Sequence, residues 1–60
     1  MKYACVQRYF DTGKVKAFVT EAVGEYASDY TKSLQRYDEY CDVFDTRTEA
    51  DQYRREALEA

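Results

Sequence analysis

Two segments near the start of the chain carry apolar side chains at the period of a strand. Residues 2–10, KYACVQRYF, place Tyr3, Cys5, Gln7 and Tyr9 on one face and Ala4, Val6, Arg8 and Phe10 on the other, because successive strand side chains point to opposite sides. Apolar groups on both faces predict a strand covered on both sides. Residues 14–20, KVKAFVT, set Val15, Ala17 and Val19 against Lys16 and Phe18. Asp11-Thr12-Gly13-Lys14 lies between the two. Aspartate initiates turns, and Gly13 supplies the positive φ of a hairpin with a G1 bulge. The pattern predicts an antiparallel hairpin.

A third alternation runs through residues 37–44, YDEYCDVF. Tyr37, Glu39, Cys41 and Val43 share one face, and Asp38, Tyr40, Asp42 and Phe44 share the other. Cys41 and Val43 mark the first set as inward, with Glu39 near its end. Thr46-Arg47-Thr48-Glu49 then reads as a capping box, a hydroxyl at the N-cap and a carboxylate at N3. Ala50, Tyr53, Ala57 and Leu58 follow at helical spacing. The spacing predicts a helix over residues 47–58 with that stripe against a sheet. At this length an isolated helix is marginal, the limit being roughly 12–15 residues, so the sheet is needed to hold it.

Residues 21–35 give a weaker signal. Tyr26, Tyr30, Leu34 and Tyr37 are spaced as on a helix, but Ser28, Thr31 and Ser33 favour a twisted strand or an ordered loop equally well. The stretch is read as a long connection. The expected architecture is therefore α+β: a three-stranded, mainly antiparallel sheet built from a β-hairpin, a long connection and a third strand, with a C-terminal helix packed on one face. All of residues 1–60 form one small domain. With the helix on one face, the other would carry some of Phe10, Phe18, Tyr40 and Phe44, to be covered by the connection or by a partner.

Composition narrows the chemistry. Ten aromatic residues, seven of them tyrosine, supply large buried areas to a chain too short for an extensive core. Cys5 and Cys41 are too few and too far apart for a disulfide framework or a zinc site, and a bridge between them requires neighbouring strands. No apolar run approaches the length of a membrane span, and residues 1–2 lead directly into a strand pattern, so a cytoplasmic location is expected. Histidine is absent, which removes the usual imidazole base and zinc ligand. Gly13 and Gly24 stand alone and form no phosphate-binding loop. Asp38, Glu39, Asp42 and Asp45 alternate across a strand and lack the spacing of a calcium loop. No enzyme, metal site or cofactor is expected.

Charge is distributed unevenly. Residues 1–20 hold four basic groups against Asp11, a net +3, and residues 21–60 hold five basic against eleven acidic, a net −6. This points to an acidic end or face and away from direct nucleic-acid binding. The leading expectation is an acidic module that docks on a basic surface of a partner protein, such as a nuclease or nucleic-acid-binding complex. Asp38, Tyr40, Asp42, Asp45 and Glu49 form its centre, and Phe18 and Phe44 extend it as aromatic anchors. Asp38 and Asp42 would stand roughly 13 Å apart along the strand. Small inhibitors of phages and mobile elements, among them anti-CRISPR and anti-restriction proteins, are similar in size and acidity, although no motif ties the chain to them. The alternative is a structural homodimer, or a small subunit of a larger assembly, joined through the aromatic face of Phe18, Tyr40 and Phe44.

Overall fold

The computed structural model describes residues 1–59. They form β1 (Tyr3–Phe10), β2 (Val15–Glu21), β3 (Tyr30–Ser33), β4 (Tyr37–Phe44) and α1 (Arg47–Glu59), with a 3₁₀ turn at Gly24–Tyr26. The strand order is β2-β1-β4-β3, and each neighbouring pair is antiparallel. Two hairpins thus lie side by side, with β1 and β4 central. No helix among the described residues is long and apolar enough to cross a membrane.

The sheet has four strands, one more than the three expected. β3 lies within the stretch read as a connection, where the strand alternative holds for Tyr30–Ser33 and the helical spacing of its tyrosines does not. It is a short edge strand with a single half-buried residue, Tyr30, so its hydrophobic pattern is faint. The ladder continues beyond it through a side chain: the Val43 N–H donates to Asp29 Oδ1 at 2.7 Å. The β3–β4 turn is closed by the Leu34 N–H donating to the Tyr37 carbonyl at 2.9 Å. Among the described residues none other than glycine has a positive φ, so Gln35-Arg36 is not one of the primed turns that Asn-Gly announces.

The first hairpin closes as its sequence implies. The Gly13 N–H donates to the Phe10 carbonyl and the Phe10 N–H to the Lys14 carbonyl, both at 2.9 Å, with Gly13 at φ 90°. At the start of α1, the Glu49 N–H donates to Thr46 Oγ1 at 3.2 Å, and the Thr46 hydroxyl donates to Glu49 Oε1 at 2.9 Å. Thr46 is therefore the N-cap, but the Glu49 carboxylate accepts from its hydroxyl rather than from its backbone.

Register assigns every strand residue to a face. Tyr3, Cys5, Gln7 and Tyr9 stand beside Phe44, Asp42, Tyr40 and Asp38 on one side and beside Glu21, Val19, Ala17 and Val15 on the other. This is the helix face: Phe44 meets Tyr53 of α1 with ring centroids 5.2 Å apart, and Ala50 is fully buried against the sheet. The opposite face packs Ala4, Val6 and Cys41 under Phe18, Ala22, Tyr26, Tyr30 and Val43. The β2–β3 connection covers it, with Tyr26 edge-on to Phe18 at 6.0 Å. Cys41 and Val43 do point inward, yet toward the connection. The helix lies on the face of Tyr40 and Phe44, the one expected to lie opposite it.

This division also separates the cysteines. Their strands are neighbours, but Cys5 pairs with Asp42 and Cys41 with Val6, so the two thiols face opposite sides of the sheet and remain free and buried. The helix stripe is displaced as well. Ala50 is buried and Arg54 and Ala57 are half-buried, whereas Leu58 is exposed and Tyr53 lies at the border.

Candidate functional site

α1 lies chiefly over β1 and β2 and only grazes β4, leaving part of the helix face open. There Gln7, Tyr9, Tyr40, Asp42 and Tyr53 line a shallow depression of about 420 Å³. Register brings four of them together, because Gln7 pairs with Tyr40 and each strand places its next same-face residue alongside. Tyr53 arrives from the second turn of α1. Three rings form the walls, and they remain 37–38 % exposed. Tyr9 and Tyr40 stand edge to face at 79°, with centroids 5.5 Å apart.

The polar groups of the depression are also placed. Gln7 is buried beneath it, and the Tyr9 hydroxyl donates to Gln7 Oε1 at 2.7 Å. Asp42 is half-buried, and its charge, followed by burial, pushes the Tyr53 hydroxyl up from its ordinary pKa. Asp38 is exposed on the same face, beside Tyr9 in register. Among the described residues neither Asp38 nor Asp42 is in an ion pair, and no lysine or arginine lines the depression.

Of the seven residues singled out in the sequence, Asp38, Tyr40, Asp42 and Phe44 do share a face. Phe44 is half-buried against Tyr53, so it supports the site from beneath the helix. Asp45 and Glu49 lie beyond the strand. Asp45 is exposed and approaches Lys2 Nζ at 3.6 Å, while Glu49 is engaged in the helix cap. Phe18 belongs to the opposite face, paired with Val6. An interface formed jointly by Phe18, Tyr40 and Phe44 therefore has no common surface to occupy. Sequence reasoning missed Tyr9, Gln7 and Tyr53 as site residues. Tyr9 was legible as a same-face neighbour of any residue paired with β1, but only the register identifies that neighbour as Asp38.

The opposite face holds a second group of rings around a carboxylate. Glu39 is buried there; its Oε1 accepts from Arg8 Nε and its Oε2 from the Tyr30 hydroxyl, both at 2.6 Å. Burial works to raise the Glu39 pKa, but the Tyr30 and Arg8 hydrogen bonds outweigh it and hold the carboxyl below the usual range. The Arg8 guanidinium lies 5.4 Å from the Phe18 ring centroid and 5.5 Å from that of Tyr37. Glu39 is thus removed from the acidic surface by a base that β1 supplies. Compared with protein-family models, curated proteins and solved structures, the chain finds no match.

Proposed function

We propose that the chain is a small acidic protein-binding module whose helix face docks on a basic, nucleic-acid-binding surface of a partner protein and keeps nucleic acid off it. This is the mode of action expected of an inhibitor of the anti-CRISPR or anti-restriction kind. The observation that carries the reading is the sorting of strand-borne charge by face. Glu21, Asp38 and Asp42 lie on the helix face, whereas Arg8, Lys16 and Lys32 lie with Glu39 on the opposite face. Asp38 and Asp42 are thereby set on the open part of the sheet, beside exposed tyrosine rings. Carboxylates there steer a basic partner, and amphipathic rings such as Tyr40 anchor it once water is displaced. The reading assigns the chain no catalytic step.

The test is competition with DNA or RNA on candidate nucleases and effector complexes, followed by kinetics on the one that responds. Replacing Asp38→Lys together with Asp42→Lys is expected to lower the association rate about tenfold or more at low ionic strength, with the difference shrinking as salt is added. Tyr40→Ala is expected to act instead on dissociation. Charge reversal that alters neither the affinity nor its salt dependence would remove the proposal.

A further inference from the structure

The two sides of the sheet treat their aromatic rings differently. On the connection face every strand-borne cation lies over a ring: Arg8 between Phe18 and Tyr37, Lys16 5.8 Å from the Phe10 centroid, and Lys32 4.8 Å from that of Tyr30. Arg8 shows what such a group of residues recognises. Its planar guanidinium is faced by two rings while its Nε donates to a carboxylate. The depression on the helix face assembles the same kinds of group, the rings of Tyr9, Tyr40 and Tyr53 with the carboxylate of Asp42. Among the described residues no cation lies over those three rings.

We propose that this depression is a receptor for one arginine side chain presented by the partner protein, with the tyrosine rings against the guanidinium plane and Asp42 accepting its N–H groups. The inference rests on the acidic-module reading and names the residue type that the module grips. Charge complementarity selects a cation, and the combination of ring faces with a carboxylate selects arginine over lysine. A guanidinium stacks on aromatic surfaces and presents a planar fork to a carboxylate, whereas an ammonium is a compact, strongly hydrated point charge. Asp38, next to Tyr40 on the same face of β4, adds to the attraction at the rim. Gln7, buried at the floor with its oxygen engaged by Tyr9, holds one wall of the receptor in place.

Hexa-arginine and hexa-lysine peptides, equal in charge, can be titrated into the full chain while NMR follows the tyrosine ring protons. Hexa-arginine is expected to bind about 2- to 5-fold more tightly, the range of a partly exposed cation–π contact. It should shift the signals of Tyr9, Tyr40 and Tyr53 while leaving those of Tyr26 and Tyr30 in place. Tyr40→Leu keeps apolar bulk but removes a ring face, so it should abolish the preference and retain the charge-driven binding common to both peptides. Tyr53→Leu, on the helix surface, provides the same test without altering the sheet. Equal binding of the two peptides, a preference that survives both substitutions, or shifts confined to the connection face would each overturn the arginine receptor and leave the acidic module standing. Failure of both peptides to bind at low ionic strength would overturn the module as well.

Discussion

Glu39 is the residue whose surroundings are most demanding. It lies in a central strand, buried, and is held ionised by Arg8 and Tyr30. Arg8→Ala would leave that carboxylate with the Tyr30 hydroxyl and the more distant charge of Lys32. The loss should fall below the about 3–5 kcal/mol of a fully buried pair, because the Arg8 side chain is itself 34 % exposed. The pH dependence has a definite sign. A carboxyl whose pKa is lowered on folding stabilises the native state fully above the ordinary value of about 4.3 and loses that contribution as pH falls through the depressed one. The stability gap between wild type and Glu39→Gln, measured by urea unfolding, should therefore be widest at neutral pH and close in acid. The cysteines follow the opposite rule. Burial, aided by the charges of Asp29 and Asp42, pushes the Cys41 thiol up to about 11, and burial likewise raises Cys5. Neither thiol should react with iodoacetamide at neutral pH until the chain unfolds, and stability should decline as pH rises past about 8.5, where unfolded thiols ionise. Rapid native labelling of either residue would show that its face opens without global unfolding.

Among the elements, α1 gives a graded prediction. Thr46→Ala removes the acceptor of the Glu49 N–H and should cost about 1 kcal/mol. Ala50→Glu forces a carboxylate into a fully buried position and should cost more, with Ala57→Glu, at a half-buried position, between the two. Leu58→Lys should stay within about 0.5 kcal/mol, since Leu58 is 45 % exposed. Melting temperatures in any other order would place the helix differently. The cap and the first hairpin were legible because each rests on local chemistry: a hydroxyl three residues before a carboxylate, and a glycine where φ is positive. β3 was not legible, because its placement comes from distant groups. Tyr30 gives its hydroxyl to Glu39, and Asp29 replaces a backbone acceptor for Val43. The covered face of β4 was ambiguous for a related reason. Both of its faces carry apolar residues, and the choice was made by the route of the β2–β3 connection, which brings Tyr26 over Phe18. Tyr40, Asp42 and Asp38 were recognisable as neighbours along one strand, whereas Tyr9 and Tyr53 reach them only through register and helix placement.

At the scale of the whole molecule the chain is a flat slab, with Cα extents of 34 × 24 × 12 Å, covered by a helix on one side and a short connection on the other. Each side gathers aromatic rings around a carboxylate, and the two groups carry opposite expectations for stability. Around Glu39 the base is part of the chain, the ionised carboxyl is buried, and removing its charge should loosen the fold. Around Asp42 no base of the chain enters among the described residues, so no ion pair ties its charge to the fold. Asp42→Asn keeps the shape of the side chain and should change stability by no more than about 0.5 kcal/mol, less than about 4 °C in melting temperature for a chain of this size. Its effect should appear only when a cationic ligand is added. Hexa-arginine in large excess over its Kd stabilises the form that binds it by mass action, about 2.7 kcal/mol at a hundredfold excess. The same concentration should therefore raise the melting temperature of wild type well above that of Asp42→Asn. Thermal unfolding of wild type, Glu39→Gln and Asp42→Asn, each with and without the peptide, separates the two roles in one experiment. If Asp42→Asn melts as early as Glu39→Gln without peptide, Asp42 is a structural carboxylate, and the open depression is part of the core rather than a place for a partner.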